Sequence, residues 1–223
     1  AYQPILDART RQIYGYEALV RSGLPEMTNA GAIVSASETL SQTTRLGRAV
    51  RREVADNARF APPGATLFVN LHAHDLGDDS LLSAPLKDIS RRVVLEVTEQ
   101  ANLGTVPDFQ ERVRQLRMAG YRIAVDDLGA GYASLSAMAQ LEPEVVKLDM
   151  TLVRDIHTRA TKQRLVRSIS SLAQELGALV VAEGIETIEE RDVLCALGCD
   201  LLQGYLFAKP TFGFAEDVRM DAA

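Results

Sequence analysis

The sequence lacks three features that would assign it to whole classes of protein. No apolar run reaches the length of a membrane-spanning helix, so we expect neither membrane insertion nor a secretory signal peptide. No run of basic residues occurs, and 24 basic against 30 acidic residues give a net charge of −6. Because binding to a nucleic-acid polymer needs a positive surface, this composition argues against such a partner. A small phosphorylated ligand is compatible with it if a metal ion supplies the positive charge.

Cysteine is scarce as well. Cys195 and Cys199 are the two cysteines of the chain, and a helix rarely accommodates a disulfide at their spacing. We predict two buried, reduced thiols and a cytoplasmic location, in a parent protein that can be membrane-tethered. The 223 residues begin without methionine and contain no internal repeat. We expect residues 1–223 to form a single domain that has been excised from a longer, multidomain protein.

Eight short apolar segments predict β-strands: YQPILD, YEALV, TLFVNL, VVLEVTE, RIAVDD, VVKLDM, ALVVAEG and LLQGYLF. From the third onward, most are separated by segments with helical periodicity. This alternation predicts an α/β protein, and eight strands in this length favour a TIM-like (β/α)8 barrel. The eight residues ARTRQIYG between the first two strands are too few for a crossover helix. We therefore expect one antiparallel strand near the N-terminus.

Three apolar stripes and four end signals place the helices. The stripes have helical periodicity and are Leu46–Val50–Val54, Phe109–Val113–Leu116 and Leu165–Ile169–Leu172–Leu176. Gly120, Gly177 and Gly198 stand where C-terminal caps belong, and Thr187 with Glu190 forms a capping-box pattern.

Polar residues recur in or just after the later predicted strands and in the second. They are Glu17, Asn70, Glu96, Asp126, Asp127, Lys147, Glu183 and Gln203. Since side chains alternate along a strand, an inward Asp126 places Ile123 and Val125 outward, beneath the helices. In barrels of this kind the C-terminal strand ends form the active-site face.

Each polar strand end could by itself be solvated or paired locally. Five carboxylates at one barrel mouth repel each other, however, and one lysine does not compensate for them. Mg²⁺ or Mn²⁺, held by carboxylate oxygens and an asparagine carbonyl, would do so. The adjacent Asp126 and Asp127 suit a pair of ions that share one carboxylate. The glycines after them allow a sharp turn, although GAG alone is more often a plain turn.

The segments YQPI, YEALVR, VNL, LEVTE, DDLGAGYASL, VKLD, VAEGIET and QGYLFAKP occur in the order found in a known family. From Tyr2 to about Pro210 the chain resembles the EAL-domain cyclic di-GMP phosphodiesterases. The resemblance implies a barrel with one antiparallel strand and two divalent ions, Mg²⁺ or Mn²⁺, with Ca²⁺ inhibitory. It also implies that a water activated by the two metals hydrolyses cyclic di-GMP to linear pGpG. A homodimer and an upstream sensory or GGDEF-type domain are further expectations.

The resemblance also implies roles for single residues. Glu17, Asn70, Glu96 and Asp126 would bind one metal, while Asp126, Asp127 and Glu183 would hold the second. Lys147 would contact the attacking water, and Asp127 and Glu183 belong with it to the catalytic set. Substrate contacts would come from Arg21 to phosphate, from Gln3 to guanine, and from Gln203 beside the metals. Glu99 would hold the glycine-rich loop, and Glu186 would be a supporting acid.

Two parts of the sequence depart from the family pattern. Leu128, Ala130 and Ala133 stand where members commonly have an aromatic residue and two hydroxyl residues. The segment after Arg21 is short and lacks the usual RW. These departures concern the shape of the substrate cover, while the chemical set is complete.

Two alternatives stay open. A member of the family can bind cyclic di-GMP as a receptor and cleave it weakly or not at all, although such proteins usually lose metal ligands or the lysine. In NLHAHD, His72 and His74 with Asp75 could form a zinc site at a strand end, or be incidental loop residues.

Overall fold

The computed structural model describes residues 1–24, 27, 30–98, 106–129 and 134–218. Eight strands in this part of the chain close into a barrel in sequence order. They are β1 (Tyr2–Asp7), β2 (Ile13–Ala18), β3 (Thr66–Asn70), β4 (Val93–Thr98), β5 (Arg122–Leu128), β6 (Val145–Leu148), β7 (Leu179–Ala182) and β8 (Leu201–Leu202). The predicted (β/α)8-type barrel is confirmed.

The first strand runs against its neighbours, as predicted. β1 pairs antiparallel with both β2 and β8, whereas the pairs from β2 to β8 are parallel. The turn between β1 and β2 is held by Asp7, whose Oδ1 accepts hydrogen bonds from the backbone N–H groups of Arg9 and Thr10 at 3.0 and 2.6 Å. A side chain that replaces backbone partners in this way stabilises a tight connection.

The helices of the described part lie outside the barrel. They are α1 (Ala30–Thr39), α2 (Thr43–Asn57), α3 (Phe109–Met118), α4 (Ser134–Leu141), α5 (Met150–Val153), α6 (Ala160–Glu175) and α7 (Ile188–Ala196). Among the described residues, no helix is long and apolar enough to cross a membrane.

The alternation of side chains along the strands divides the core into two layers, as predicted. Inside the barrel lie Ile5, Phe68, Val94, Ala124, Val145, Val181 and Leu201. Ile123 and Val125 of β5 belong instead to the layer between strands and helices, with Leu95, Val97, Val180 and Ala182. A residue two positions beyond an inner apolar residue, such as Asp126 after Ala124, therefore points to the barrel axis.

The stripes of α2 and α3 reach the core through Val54, Val113 and Leu116, whereas the stripe of α6 reaches it only through its middle residues, Ile169 and Leu172. Leu165 and Leu176 are 49% and 57% exposed, and the buried positions of α6 are Val166, Ser170 and Ala173. The stripe therefore lies beside the most buried face of α6 and not on it.

The predicted helix ends are confirmed. Gly120, Gly177 and Gly198 follow α3, α6 and α7 with φ angles of 105°, 76° and 88°, the left-handed conformation that glycine adopts without strain. Thr187 and Glu190 form both hydrogen bonds of a capping box at the start of α7.

Both cysteines are free, but only one is buried. Cys199 lies in the core beyond the end of α7, and its burial raises the pKa of the thiol to about 12. Cys195, in contrast, is exposed, because it occupies the outer face of the last turn of α7, so the prediction of two buried thiols is wrong for Cys195.

Candidate active site at the barrel mouth

The polar residues predicted from the strand ends meet at one end of the barrel. Glu17, Asn70, Glu96 and Asp126 lie near the C-terminal ends of β2, β3, β4 and β5, and Lys147 lies in β6. Glu183 and Gln203 directly follow β7 and β8. Parallel pairing in register, for example Asn70 opposite Glu96, brings these ends to the same height. The convergence predicted from sequence is therefore observed.

Lys147 lies at the centre of this group and is 1% exposed. Its ammonium nitrogen is 2.6 Å from Glu96 Oε1, 2.6 Å from Glu183 Oε1, 3.1 Å from Asp126 Oδ1 and 3.6 Å from Glu17 Oε1. Burial alone would lower the pKa of this ammonium group, but the surrounding carboxylates outweigh burial and raise the pKa well above its usual value. Lys147 is therefore a buried cation that four acids share.

Two of the acids are costly to ionise in this environment. Burial raises the pKa of Glu96 well above its usual value, and the nearby carboxylates of Glu17 and Asp126 add to the effect, which Lys147 opposes. The pKa of Glu183 is raised for the same reasons. Neither carboxylate oxygen of Glu96 has a well-oriented hydrogen bond within the described part of the chain. The site therefore has more negative charge and more acceptor oxygens than its own donors satisfy.

Asp127 extends the acidic group beyond the four partners of Lys147. Its φ angle of 58° is unusual for a residue other than glycine, and its backbone N–H donates to Asp126 Oδ1 at 3.0 Å. Burial, reinforced by the charge of Asp126, raises the pKa of Asp127 to about 6. Carboxylate oxygens of Asp126, Asp127 and Glu183 all lie within 4.8 Å of one another. The strained turn thus directs two adjacent side chains at one place.

Two glutamines and an asparagine orient Glu17. Gln203 Nε2 donates to Glu17 Oε2 at 2.7 Å and lies 3.2 Å from Gln3 Oε1, while Gln3 Nε2 donates to the carbonyl of Ala208 at 3.1 Å. Asn70 Nδ2 donates to Glu17 Oε1 at 3.3 Å. Gln203 Oε1 is buried and has no hydrogen-bond partner among the described residues. The sequence named these residues but carried no signal for the amide chain that joins Gln3, Gln203 and Glu17.

The remaining predicted residues lie farther out. Arg21 is exposed just after β2 and donates to its neighbouring carbonyl, that of Val20, at 2.8 Å. Glu186 is 43% exposed and pairs with Arg154. Glu99, Ala130 and Ala133 lie outside the described residues. The exposed Arg21 can therefore contact a ligand at the rim, whereas Glu186 already pairs with Arg154.

The residues of the mouth fit a divalent cation. Their donors are carboxylate and amide oxygens, the ligands that Mg²⁺ and Mn²⁺ prefer. Four carboxylates share one ammonium group, Asp127 adds a fifth acid, and neither oxygen of Glu96 has a well-oriented hydrogen bond in the described part of the chain. A bound cation would balance the excess of negative charge and would give the oxygens of Glu96 a partner.

The segment NLHAHD offers less to a metal ion. Asp75 is 1% exposed, and its Oδ2 receives a hydrogen bond from Arg51 Nη1 at 2.8 Å. Within the described part of the chain, the metal-ligating side chains that approach one another as a group of three are Asp126, Asp127 and Glu183, and His72 is not among them. Asp75 therefore serves an ion pair with α2, and the carboxylate mouth is the better metal site.

Comparisons with known proteins agree with this geometry. The family model described as EAL domain matches residues 1–210. The cyclic di-GMP phosphodiesterase PdeR of Escherichia coli K12 is 34% identical over 221 residues, which cover 94% of this chain and 33% of PdeR. The chain spans 26–56% of the length of the curated relatives that it matches over nearly all of its own length.

Solved structures show the same fold with ligands. A standalone EAL protein from Vibrio cholerae O395 in its c-di-GMP bound form has a TM-score of 0.83 and 28% identity, covering 98% of this chain and 94% of that one. BlrP1 of Klebsiella pneumoniae was solved as calcium and manganese complexes with cyclic di-GMP. The calcium complex has a TM-score of 0.82 and 29% identity, covering 98% of this chain and 57% of that one.

Proposed function

The chain belongs to the EAL domain family, and from this membership we propose that it hydrolyses cyclic di-GMP to linear pGpG with two divalent metal ions. The observation that carries the proposal is the group of four carboxylates around Lys147, at distances of 2.6–3.6 Å. The sequence retains every residue that the resemblance assigns as a metal ligand, together with the lysine. Family relatives named as cyclic di-GMP phosphodiesterases, such as PdeR, support the choice of substrate.

Two groups of residues would hold the ions. Glu17, Asn70, Glu96 and Asp126 form the first group, and Asp126, Asp127 and Glu183 form the second. Bound there, Mg²⁺ or Mn²⁺ would withdraw charge from the phosphate oxygens and lower the pKa of a water molecule. Gln203 and Asn70 fix both oxygens of Glu17, so that this ligand is oriented before an ion arrives.

The protein's own cations act on the phosphodiester. Arg21 at the rim would pair with a phosphate oxygen of cyclic di-GMP. Lys147 would orient the attacking water and stabilise the negative charge that develops on the phosphoryl oxygens. The water oxygen forms the new bond to phosphorus, one phosphorus–oxygen bond to ribose breaks, and the departing ribose oxygen receives a proton. The product is linear pGpG.

A receptor that binds cyclic di-GMP without cleaving it is the second candidate. Calcium helps to separate the receptor from the enzyme. For an enzyme, we expect Ca²⁺ to support binding of cyclic di-GMP and to inhibit its hydrolysis. Ca²⁺ prefers more ligands at about 2.3–2.6 Å, whereas Mg²⁺ requires octahedral geometry at about 2.0–2.1 Å. The measurement is turnover in Mg²⁺ with increasing Ca²⁺, alongside cyclic di-GMP affinity in Ca²⁺ alone.

Hydrolysis predicts a rate that falls with Ca²⁺ and recovers when Mg²⁺ is raised. Binding with no turnover in Mg²⁺ or Mn²⁺ would favour the receptor. An upstream domain, a homodimer and a cytoplasmic location stay predictions of the sequence.

A further inference from the structure

The segment that follows Lys147 supports a neighbouring loop of the site. This segment, Leu148–Asp155, continues β6 through α5. The backbone N–H of Glu183 donates to the carbonyl of Leu148 at 3.2 Å. Gly184 has a φ of 67°, and a Cβ at this position would lie 2.7 Å from Met150 Cβ. The loop that carries Glu183 therefore lies directly against the segment that continues from Lys147.

Glu190 ties the far end of the same loop to the same segment. It is the N3 residue of α7 and is only 2% exposed. Its Oε1 accepts the backbone N–H of Asp155 at 2.9 Å, and its Oε2 accepts that of Glu186 at 2.9 Å and that of Thr187 at 3.3 Å. A capping box requires only the last of these contacts. The bonds to Asp155 and Glu186 thus exceed what capping α7 needs.

A second contact, next to the one between Glu190 and Asp155, also joins the loop to the segment Leu148–Asp155. The guanidinium of Arg154 donates to the carboxylate of Glu186. The loop between the end of β7 and Glu186 consists of Glu183, Gly184 and Ile185. Ile185 is fully buried, and its N–H donates to the carbonyl of Gln203 at 3.1 Å. The loop after β7 is consequently held at both ends and in the middle.

We propose that Glu190 is a positioning residue that fixes the carboxylate of Glu183 relative to Lys147 and Asp126 for metal binding. The inference rests on the proposed function, since it assigns Glu183 to a metal. A buried carboxylate that accepts three backbone N–H groups has little freedom. Glu183 follows a strand of four residues and is itself partly exposed, so its loop needs such a support. Residues that orient metal ligands typically change metal affinity or activity by about 10–100-fold when replaced.

The test compares Glu190→Gln with Thr187→Ala. Both variants damage the capping box, but Thr187→Ala leaves the bonds from Glu190 to Asp155 and Glu186 in place. In Glu190→Gln, an amide NH₂ must face at least one of the backbone N–H groups that the carboxylate accepted. The readouts are Mn²⁺ affinity measured directly by titration, kcat and KM for cyclic di-GMP at saturating Mn²⁺, and melting temperature in chelator.

We expect both variants to melt at lower temperature, while only Glu190→Gln weakens Mn²⁺ binding, by about 10–100-fold. Its kcat should fall and its KM should stay within about threefold of the parent value, because Glu190 does not touch substrate. Equal Mn²⁺ affinity in the two variants would overturn the inference and would mean that Glu190 serves only as a cap of α7. If Glu190→Gln does not fold, Arg154→Ala can be used instead. It removes the contact between Arg154 and Glu186 at the surface, and we expect it to weaken Mn²⁺ binding as well. Unchanged affinity there would equally count against the proposal.

The same titration separates this inference from the proposed function. A parent protein that binds Mn²⁺ but does not cleave cyclic di-GMP would refute hydrolysis, while the affinities of the variants would still decide the role of Glu190. A parent protein that binds no Mn²⁺ would overturn both.

Discussion

Replacement of Lys147 by methionine or alanine is expected to lower kcat by a factor on the order of 10²–10⁴ at saturating metal, the usual scale for one acid–base or electrostatic group. The ammonium group is buried among Glu17, Glu96, Asp126 and Glu183, where water cannot replace it. Methionine keeps most of the volume and removes the charge, so it separates the loss of the cation from the cavity that alanine would leave. Turnover across a Mn²⁺ titration measures the effect.

The competing explanation is that Lys147 only neutralises its acidic neighbours. In that case metal ions, which also supply positive charge, should replace it. Near-normal kcat of Lys147→Met at saturating Mn²⁺ would remove the lysine from the chemistry. Binding of cyclic di-GMP in Ca²⁺ should change little in either case, since Arg21 and the metal ligands would hold the phosphates. A loss of that binding would mean that the variant has damaged the site more widely.

Asp126→Ala is expected to lower turnover by at least about 10²–10³-fold. Asp126 lies within both groups of proposed ligands, so its removal affects both ions. Without metal, the variant should melt within a few degrees of the parent protein. The hydrogen bond from the Asp127 N–H, of about 1 kcal/mol, and the contact with Lys147 are lost. However, three other carboxylates still surround that lysine, and the repulsion among five crowded carboxylates is relieved. The parent protein should melt higher in Mn²⁺ than in chelator, and the variant should lose most of this difference.

A suitable control is Asp192→Ala, which removes a carboxylate on the outer side of α7 that is 63% exposed. It should keep both turnover and the stabilisation by Mn²⁺. A large fall in the metal-free melting temperature of Asp126→Ala, well beyond that of the control, would show that Asp126 is chiefly a structural partner of Lys147.

Strand periodicity was sufficient to predict which side chains face the barrel axis. The alternation in IAVDD places Ile123 and Val125 outward and Asp126 inward, and the structure agrees. This succeeds because a barrel strand has two distinct sides, and a shift by one residue would bury charge against the helices. The clustering of Glu17, Glu96, Asp126 and Lys147 follows from the same pattern.

Helix faces and long-range hydrogen bonds were harder to predict. In α6 the leucine stripe has helical period, but Ser170 and Ala173 belong to the most buried face, and period alone does not rank two such faces. Glu190 had a sequence signal as a cap, whereas its bond to Asp155 joins residues 35 apart. The pairing of Gln3 with Gln203 spans 200 residues. Only the closed barrel brings such partners together.

The most direct test of metal-dependent hydrolysis is to incubate the protein with cyclic di-GMP and Mn²⁺ and to identify the products by chromatography. Our account predicts that cyclic di-GMP disappears, that linear pGpG is the product, and that excess chelator stops the reaction. Unchanged cyclic di-GMP after prolonged incubation, or full turnover in chelator, would contradict it.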